Sequence, residues 1–462
     1  MKTKISFIAF TLLATVFSSF FVSCKTDEPV VEDTRKEAAN EVIIDADITG
    51  TRNFVKDSVY ILYGQINVSG TLNIAAGTVI KGEKASKGSL IILRGGKIYA
   101  NGTASAPVVF TSRMKPGLRA AGDWGGLVIV GNAPVNQTSP VVEGLSREVS
   151  YGGGTDAADN SGKLQYVRIE FAGIALQPDK EINGLTLCAV GSGTVIDHVQ
   201  VSYCGDDSFE WFGGAVNAKY LIAFLGLDDE FDTDYGFSGK IQFALGIRNA
   251  RNADVSLSNG FESDNDGNGT AATPQTSAVF SNVTLVGPYK TTADKNVNAN
   301  YGVAMHIRRN SSISVFNSVF AGWNTGLLLD GTSTLANATA GNLVVQNCAL
   351  VGIKTSNVKG ATITDDQALA IFNTVNAGNS IITTNVLAGI ENSFYDASKT
   401  GTAANPTSFL PTTGSALLSG AAFTHAKVSA TFFTPTTYIG AFGTTDWTKE
   451  SWTNFDPQNT VY

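Results

Sequence analysis

Histidine is scarce in this chain, with only His198, His306 and His425 among 462 residues, and all three lie far apart in sequence. This scarcity argues against a zinc or iron site built from several histidines. Cysteine is almost as rare: beyond Cys24 three residues remain, which allow at most one disulfide bond. Charged residues form only 16% of the chain, and the net charge of −8 argues against nucleic acid as a partner.

Long apolar runs are also missing after the first 24 residues, so no later segment is predicted to span a bilayer. Lys2 and Lys4 precede an apolar stretch, Ile5 to Val22, that ends in Ser23-Cys24 and reads as an export signal. The run Phe21-Val22-Ser23-Cys24 resembles a bacterial lipobox, and the acidic tract after it resembles the surface-export signals of Bacteroidetes lipoproteins. The resemblance implies a signal peptide over residues 1–24 and a lipid on Cys24. It also implies display on the outer membrane at the cell surface, with the lipid as the only membrane anchor.

Residues 25–45 are predicted to form a flexible acidic tether between that anchor and the folded body. The rest of the chain is rich in glycine, with 48 residues, and in short runs of Val, Ile, Thr, Phe and Asn. This composition favours many short strands joined by tight turns, and therefore an all-β protein.

Three segments between residues 70 and 131 carry a resemblance to a known fold: GTLNIAAGTVIKG, APVVFTS and GDWGGLVIVG. They resemble the N-terminal coils of right-handed parallel β-helix surface proteins of the pectate-lyase-like type. The run GDDSFEWFGG, at residues 205–214, resembles more loosely a Bacteroidetes lipoprotein family. The resemblance implies a right-handed parallel β-helix solenoid, which we assign to residues 46–400.

Strands in the middle of the chain support the same fold independently of any resemblance. Six of them end shortly before a glycine, and the positions two and four residues before that glycine are mostly apolar, which is typical of one face of a strand. These glycines are Gly173, Gly205, Gly226, Gly287, Gly322 and Gly352. No comparable strand is evident between Gly226 and Gly287, where we expect insertions.

An acidic turn recurs three times, at Phe209-Glu210, at Phe231 to Asp234 and at Phe261 to Asp264, with spacings of 22 and 30 residues. Such spacings are typical of the coils of a solenoid. Because stacked strands lie about 4.7–4.9 Å apart, equivalent carboxylates are predicted to form a column. Their mutual repulsion must be offset by a cation, by raised pKa values or by a basic ligand.

Calcium is the cation that this pattern favours, because it accepts six to eight oxygen ligands in flexible geometry. The predicted metal ligands are Asp228, Asp229, Asp232, Asp234, Glu262 and Asp264. A solvated acidic face without a bound ion is an equally good interpretation of the same residues.

A ligand-binding groove is predicted beside this column. Asp206, Asp207 and Glu210 supply its acidic side, and Arg168, His198 and Lys219 lie on the outward positions of neighbouring strands. The tail, residues 401–462, is rich in Thr, Pro, Ala and aromatic residues and is predicted to cap the open end of the solenoid.

The favoured function is binding: a monomeric surface lipoprotein that captures an extracellular polysaccharide or another surface protein through a calcium-supported acidic face. One alternative is a polysaccharide lyase or a glycoside hydrolase that acts on acidic glycans, since the resemblance includes such enzymes. A lyase would need a base near a cation, and a hydrolase would need two carboxylates. Another alternative is a structural component of a surface layer.

Overall fold

The computed structural model of the chain describes residue 38 and residues 40–177, 180–374 and 377–462. The predicted signal peptide, the lipidation site Cys24 and most of the predicted tether lie outside the described residues. In the part of the chain that is described, no helix combines the length and the apolar character needed to cross a membrane.

Short strands dominate the structure. The first eleven are β1 (Glu41–Ile44), β2 (Thr51–Phe54), β3 (Val59–Leu62), β4 (Gln65–Val68), β5 (Thr71–Ala75), β6 (Val79–Gly82), β7 (Ser89–Ile92), β8 (Lys97–Asn101), β9 (Val108–Ser112), β10 (Leu127–Val130) and β11 (Gly162–Glu170). The next ten are β12 (Ala175–Gln177), β13 (Lys180–Glu181), β14 (Leu185–Val190), β15 (Val195–Ser202), β16 (Phe209–Gly214), β17 (Asn217–Phe224), β18 (Phe231–Asp234), β19 (Lys240–Ile247), β20 (Phe261–Ser263) and β21 (Val279–Val286).

The last eight strands are β22 (Val303–Ile307), β23 (Ser314–Phe316), β24 (Val319–Ala321), β25 (Thr325–Asp330), β26 (Val345–Gln346), β27 (Ala349–Val351), β28 (Ser356–Ala361) and β29 (Ser380–Ile382). The α-helices are α1 (Thr332–Thr339), α2 (Asp365–Phe372) and α3 (Asn385–Ala388). Short 3-10 turns occupy Gly401–Ala404, Ala416–Leu418 and Trp447–Lys449.

These strands form two parallel sheets that run along the solenoid. Sheet B contains ten strands in the order β4, β7, β10, β14, β16, β18, β20, β22, β25, β28, and sheet A contains seventeen strands. The described pairings between neighbouring coils are parallel, and β12 with β13 forms a separate antiparallel hairpin. The predicted parallel β-helix is therefore confirmed, whereas its right-handed coiling stays a prediction.

Inward and outward side chains alternate along each strand, and the inward ones form the apolar interior. In β5, for example, Leu72 and Ile74 are buried while Thr71 and Asn73 are more exposed. The inward residues of both sheets merge into one long apolar cluster that continues from the first coils to α2. An interior of this kind grows with every added coil, which explains how a chain of this length needs no second core.

The first strand begins earlier than the predicted domain boundary at residue 46. β1, at Glu41–Ile44, pairs in parallel with β3, and Ile44 is buried in the interior cluster. These residues fall in the segment assigned to the tether, but their backbone groups already take part in a sheet.

The gap predicted between Gly226 and Gly287 contains a regular coil. β19 pairs with β17 on one side and with β21 on the other. Its strand is followed by Arg248 rather than by glycine, so the glycine pattern does not detect it. Register also departs from the glycine alignment: Ser202 pairs with Phe224, whereas alignment of Gly205 with Gly226 would place Tyr203 opposite Phe224.

The tail does not serve as the predicted end cap. Its contacts follow the outer face of sheet A from the last coils back to the first ones: Lys427 Nζ donates to Ser314 Oγ at 2.8 Å, and Lys81 Nζ donates to the Tyr462 carbonyl at 3.1 Å. At the C-terminal end it is α2 that places Ala368 and Phe372 in the interior cluster. The tail is long enough to run the length of the sheet, and that outer face is apolar enough to require cover.

Candidate cation-binding site

Three carboxylates stand in one row on the outer face of sheet B. Glu210 on β16 pairs with Asp232 on β18, and Asp232 pairs with Glu262 on β20. The row continues to His306 on β22. The spacings of 22 and 30 residues in the sequence predict this arrangement, and we call Glu210, Asp232 and Glu262 the acidic column.

Aromatic side chains behind the column hold its strands in register. Phe209, Phe231 and Phe261 point into the solenoid, and consecutive ring centroids lie 5.5 and 5.7 Å apart. Because neighbouring residues of a strand face opposite sides, stacking of these rings forces the next residue of each strand outward. The motif Phe-acid therefore places a carboxylate on the surface at every coil.

A second row of polar side chains lies in the turns before these strands. The backbone N–H of Asp229 donates to the Asp207 carboxylate at 2.8 Å, and the N–H of Asn259 donates to the Asp229 carboxylate. The N–H of Val303 then donates to Asn259 Oδ1 at 3.0 Å. Each of these side chains links its own coil to the next, so part of the acid repeat is structural.

The turn acids and the column together form three groups of carboxylates that could each hold a metal ion. Within a group the candidate ligand oxygens lie within 4.8 Å of one another. The groups are Asp206, Asp207 and Asp228; Asp207, Glu210 and Asp232; and Asp229, Asp232 and Glu262. The structure thus brings all three predicted ligand-binding acids together with four of the six predicted metal ligands.

Burial and mutual repulsion raise the pKa values of these acids. Desolvation is the largest cause throughout, followed for Asp206 by the charge of Asp228 and for Asp207 by the charge of Asp206. The pKa of Asp228 rises to about 8 and the pKa of Asp229 to about 7. Charge at neutral pH is therefore costly here unless a cation or a proton offsets it.

Two carboxylate oxygens in the site are enclosed without a hydrogen-bond donor. These are Oδ1 of Asp228 and Oδ1 of Asp232, while a second oxygen of Asp228 accepts a 2.7 Å hydrogen bond from Ser256. Buried carboxylate oxygens without a donor cost free energy, and either a proton or a metal ion would satisfy them. This observation is independent of the number of acids in the cluster.

A cleft with a volume of about 210 Å³ opens beside the first of the three groups. Asp206, Asp207 and Glu210 line it, and Glu143 and Glu181 add two further acids from outside the repeat. Asn183 also lines the cleft and donates from Nδ2 to Glu210, while its buried Oδ1 has no donor. The cleft offers oxygen atoms almost exclusively, which is the chemistry of a calcium or magnesium ligand set.

A comparison with protein families matches residues 47–391 to the pectate-lyase-like β-helix domain. The chain belongs to this family. No curated protein and no solved structure matches it in the corresponding comparisons. Membership establishes the fold of this pectate-lyase-like domain, whereas its activity depends on the residues of the site.

Two predicted metal ligands of the domain have other partners. Asp264 accepts hydrogen bonds from Arg308 Nε at 2.8 Å and from Arg309 Nη1 at 2.7 Å. Asp234 accepts from the N–H of Tyr235 at 2.6 Å, and neither acid belongs to a three-carboxylate group. Arg308 also pairs with Glu262, so basic residues neutralise one end of the column and leave the other end uncompensated.

His306 and Asp330 belong to this neutralised end, although the sequence did not place them in the site. His306 Nδ1 lies 3.8 Å from Glu262, and Nε2 lies 3.7 Å from Asp330. Burial and the nearby Arg308 lower the pKa of His306 to about 4, so the ring is neutral at pH 7. A signal for His306 is its position two residues before Arg308-Arg309, whereas nothing in the sequence singles out Asp330.

The basic side of the predicted groove lies elsewhere, which corrects the expectation of one groove. Arg168, His198 and Lys219 are on strands of sheet A, not sheet B, and the tail covers that face. His198 stacks between Tyr166 and Tyr220 at centroid distances of 4.4 and 4.3 Å and meets Trp452 edge-on.

Tail contacts also engage the other two basic residues. Lys219 Nζ donates to Thr434 Oγ1 at 2.9 Å, and the Arg168 guanidinium lies over the Tyr462 ring at 5.6 Å. The acids and these three basic residues are close in sequence but lie on different sheets, because a turn separates each strand of sheet A from the following strand of sheet B.

Proposed function

We propose that this chain is a surface-displayed binding protein that holds calcium at the acidic column and uses the ion to capture an extracellular polysaccharide or another surface protein. The observation that carries the proposal is the sharing of ligands between adjacent groups: Asp207 and Asp232 each belong to two three-carboxylate groups. A single ion at Asp232 would offset charge on two coils at once.

The chemistry of the site favours calcium over zinc. The three groups contain only carboxylates, and neither histidine nor cysteine joins them. Carboxylate oxygens in an irregular arrangement suit calcium, which tolerates variable geometry, better than they suit zinc, which prefers nitrogen and sulfur ligands. An ion bound here would keep positions open for oxygen atoms of a ligand, such as the hydroxyl or carboxylate groups of a glycan.

The first experiment is a calorimetric titration of the full-length chain with calcium, then with magnesium, after treatment with a chelator. We expect saturable calcium binding, and at least tenfold weaker binding in Asp232→Asn, because that change removes a charge from two groups. Asp366→Asn is the control, since Asp366 is an exposed acid in the first turn of α2. Equal affinity in both variants would contradict the proposal.

The second experiment asks what the loaded site retains. The calcium-bound chain is passed over immobilised acidic and neutral polysaccharides, and elution by chelator is monitored. Retention of one polymer in calcium, its release by chelator and its absence in Asp232→Asn would support capture through the ion. Retention that chelator does not release would assign binding to another surface.

A polysaccharide lyase is the second candidate, because a neutral histidine lies at the end of the acidic column. His306 could accept a proton, and Arg308 beside it could contact an acidic sugar. Release of unsaturated products, measured by ultraviolet absorbance and abolished in His306→Gln, would favour the enzyme. Intact polymer after incubation with the calcium-bound chain would favour binding alone.

Display at the cell surface completes the proposal. We propose that lipid attached to Cys24 anchors a monomeric body to the outer membrane. Metabolic labelling with a fatty acid should mark the wild-type chain and leave Cys24→Ala unlabelled, and protease added to intact cells should digest the wild-type body. Labelling of Cys24→Ala at the wild-type level would contradict the assignment.

A further inference from the structure

A second cleft, with a volume of about 250 Å³, is basic rather than acidic. Three segments form it: the loop between β19 and β20, the loop between β21 and β22, and residues 395–398, which lie between α3 and the tail. Arg251 comes from the first loop, and Lys290 and Lys295 come from the second. Three cations thus converge on one concave surface of a chain whose net charge is −8.

These three cations have no acidic partner among the described residues, and their side chains are exposed. The two acids that line the same cleft already accept hydrogen bonds. Asp294 accepts from Thr291 Oγ1 at 2.7 Å, and Asp396 accepts from Ser398 Oγ at 2.5 Å and from Lys399 Nζ at 3.2 Å. The three cations outnumber these two carboxylates, and Asp396 also pairs with Lys399, so the cleft keeps a net positive charge.

A hydroxyl group adds a neutral donor to this surface. Tyr395 lines the cleft, and its ring packs edge-on against Phe224 at a centroid distance of 6.3 Å. Burial raises the pKa of Tyr395, although the charge of Arg251 opposes the shift, so the hydroxyl keeps its proton at neutral pH. A guanidinium, two ammonium groups and a phenol are the donors that bind oxyanions in proteins.

We propose that this cleft binds a dianionic tetrahedral oxyanion, sulfate or phosphate, either free or as an ester on a larger ligand. Three cations around one cleft exceed what a single carboxylate requires, whereas a dianion accepts donors on several oxygens at once. The Arg251 guanidinium would donate to two of those oxygens, and Lys290 and Lys295 would act as point charges. The inference does not rest on the proposed calcium site, because the two sites share no residue.

The test is calorimetric titration of the full-length chain with sodium sulfate, sodium phosphate and sodium acetate at constant ionic strength, in chelator so that calcium phosphate cannot form. We expect saturable binding of sulfate or phosphate and none of acetate. Arg251→Gln and Lys295→Gln should each weaken binding at least fivefold. Lys115→Gln, which changes an exposed lysine of the N-terminal coils, should leave it unchanged.

Two further arms complete the experiment. A sulfated monosaccharide that binds more tightly than inorganic sulfate would assign the site to an ester on a larger ligand, and equal affinities would assign it to the free ion. Asp232→Asn should bind the anion like the wild type, which separates this inference from the calcium proposal. Absence of saturable anion binding, or equal weakening by Lys115→Gln, would overturn it.

Discussion

The backbone N–H of Asp229 donates a 2.8 Å hydrogen bond to the carboxylate of Asp207 on the preceding coil. Both acids are also members of the three-carboxylate groups. One side chain therefore links two coils and adds negative charge to the site. The two roles can be separated by substitution, because an amide retains the acceptor oxygen and loses the charge.

Asp207→Asn and Asp207→Ala should therefore differ in stability. In chelator we expect Asp207→Asn to keep or increase the free energy of unfolding, since repulsion decreases while the N–H of Asp229 keeps an acceptor. Asp207→Ala leaves that buried N–H unpaired and should lower the free energy of unfolding by about 1–3 kcal/mol. Denaturant titration measures both values, and equal losses in the two variants would show that the hydrogen bond contributes little.

Stability without calcium should fall as pH rises. The pKa of Asp228 is about 8 and that of Asp229 about 7 in the folded chain, whereas an unfolded aspartate titrates at about 3.9. The folded chain thus holds protons that the unfolded chain has released. This contribution to stability is complete below about pH 4 and is lost as pH rises through 7 to 8.

Melting temperatures at pH 5, 6, 7 and 8 test this expectation. In chelator they should decrease over the range, and saturating calcium should reduce the decrease, because the ion replaces the protons. The double variant with Asp228→Asn and Asp229→Asn should show a shallower slope in chelator. A slope that is the same in all three conditions would rule out these two acids as its source.

Arg308→Gln should tighten calcium binding, by about twofold to tenfold. Arg308 pairs with Glu262 and Asp264 and competes with a metal ion for the same oxygens. Burial raises the pKa of Glu262 to about 7, and the charge of Arg308 opposes that rise. Two unit charges at such distances interact by about 1 kcal/mol or more, so removal of the Arg308 charge should change the calcium affinity by a factor of this size. Calorimetry provides the measurement. Arg147→Gln, which breaks an exposed pair with Asp47 on another part of the surface, is the matched control and should leave affinity unchanged.

Trp452→Ala should destabilise the chain without changing calcium affinity. The indole of this tail residue is fully buried against sheet A. Its ring centroid lies 5.3 Å from that of His198 and 6.3 Å from that of Trp447. Removal of a buried tryptophan costs about 3–5 kcal/mol. Trp452→Phe should recover much of that loss. Parallel loss of calcium affinity at temperatures where the variant is folded would indicate that the tail supports the acidic column, contrary to this expectation.

The parallel β-helix could be predicted from sequence because its signals are local. Short apolar runs, glycines at turns and the Phe-acid repeat each act within one coil, and the constant spacing of stacked strands converts a sequence repeat into a spatial row. The sequence therefore predicts that Glu210, Asp232 and Glu262 form one column. Local signals do not detect the coil at β19, because Arg248 occupies the position after the strand where the pattern requires glycine.

That exception has a tertiary explanation. Arg248 is buried against Glu230 and donates to the carbonyls of Gly226 and Asn259, so contacts from its own coil and from the preceding coil stabilise a charged residue at a turn. No local pattern describes such an arrangement, because the partners lie 18, 22 and 11 residues away. A buried arginine requires all of them together.

The sequence by itself determined the strand composition, the stacking repeat and the row of acids, since all three depend on the alternation and spacing of neighbouring residues. Only the tertiary structure decided which face each row occupies and what covers it. It separated Arg168, His198 and Lys219 from the acids, brought His306 and Arg308 to them, and laid the tail along sheet A. These outcomes depend on how the turns direct each sheet and on contacts between residues hundreds of positions apart, and local propensity contains no information about either.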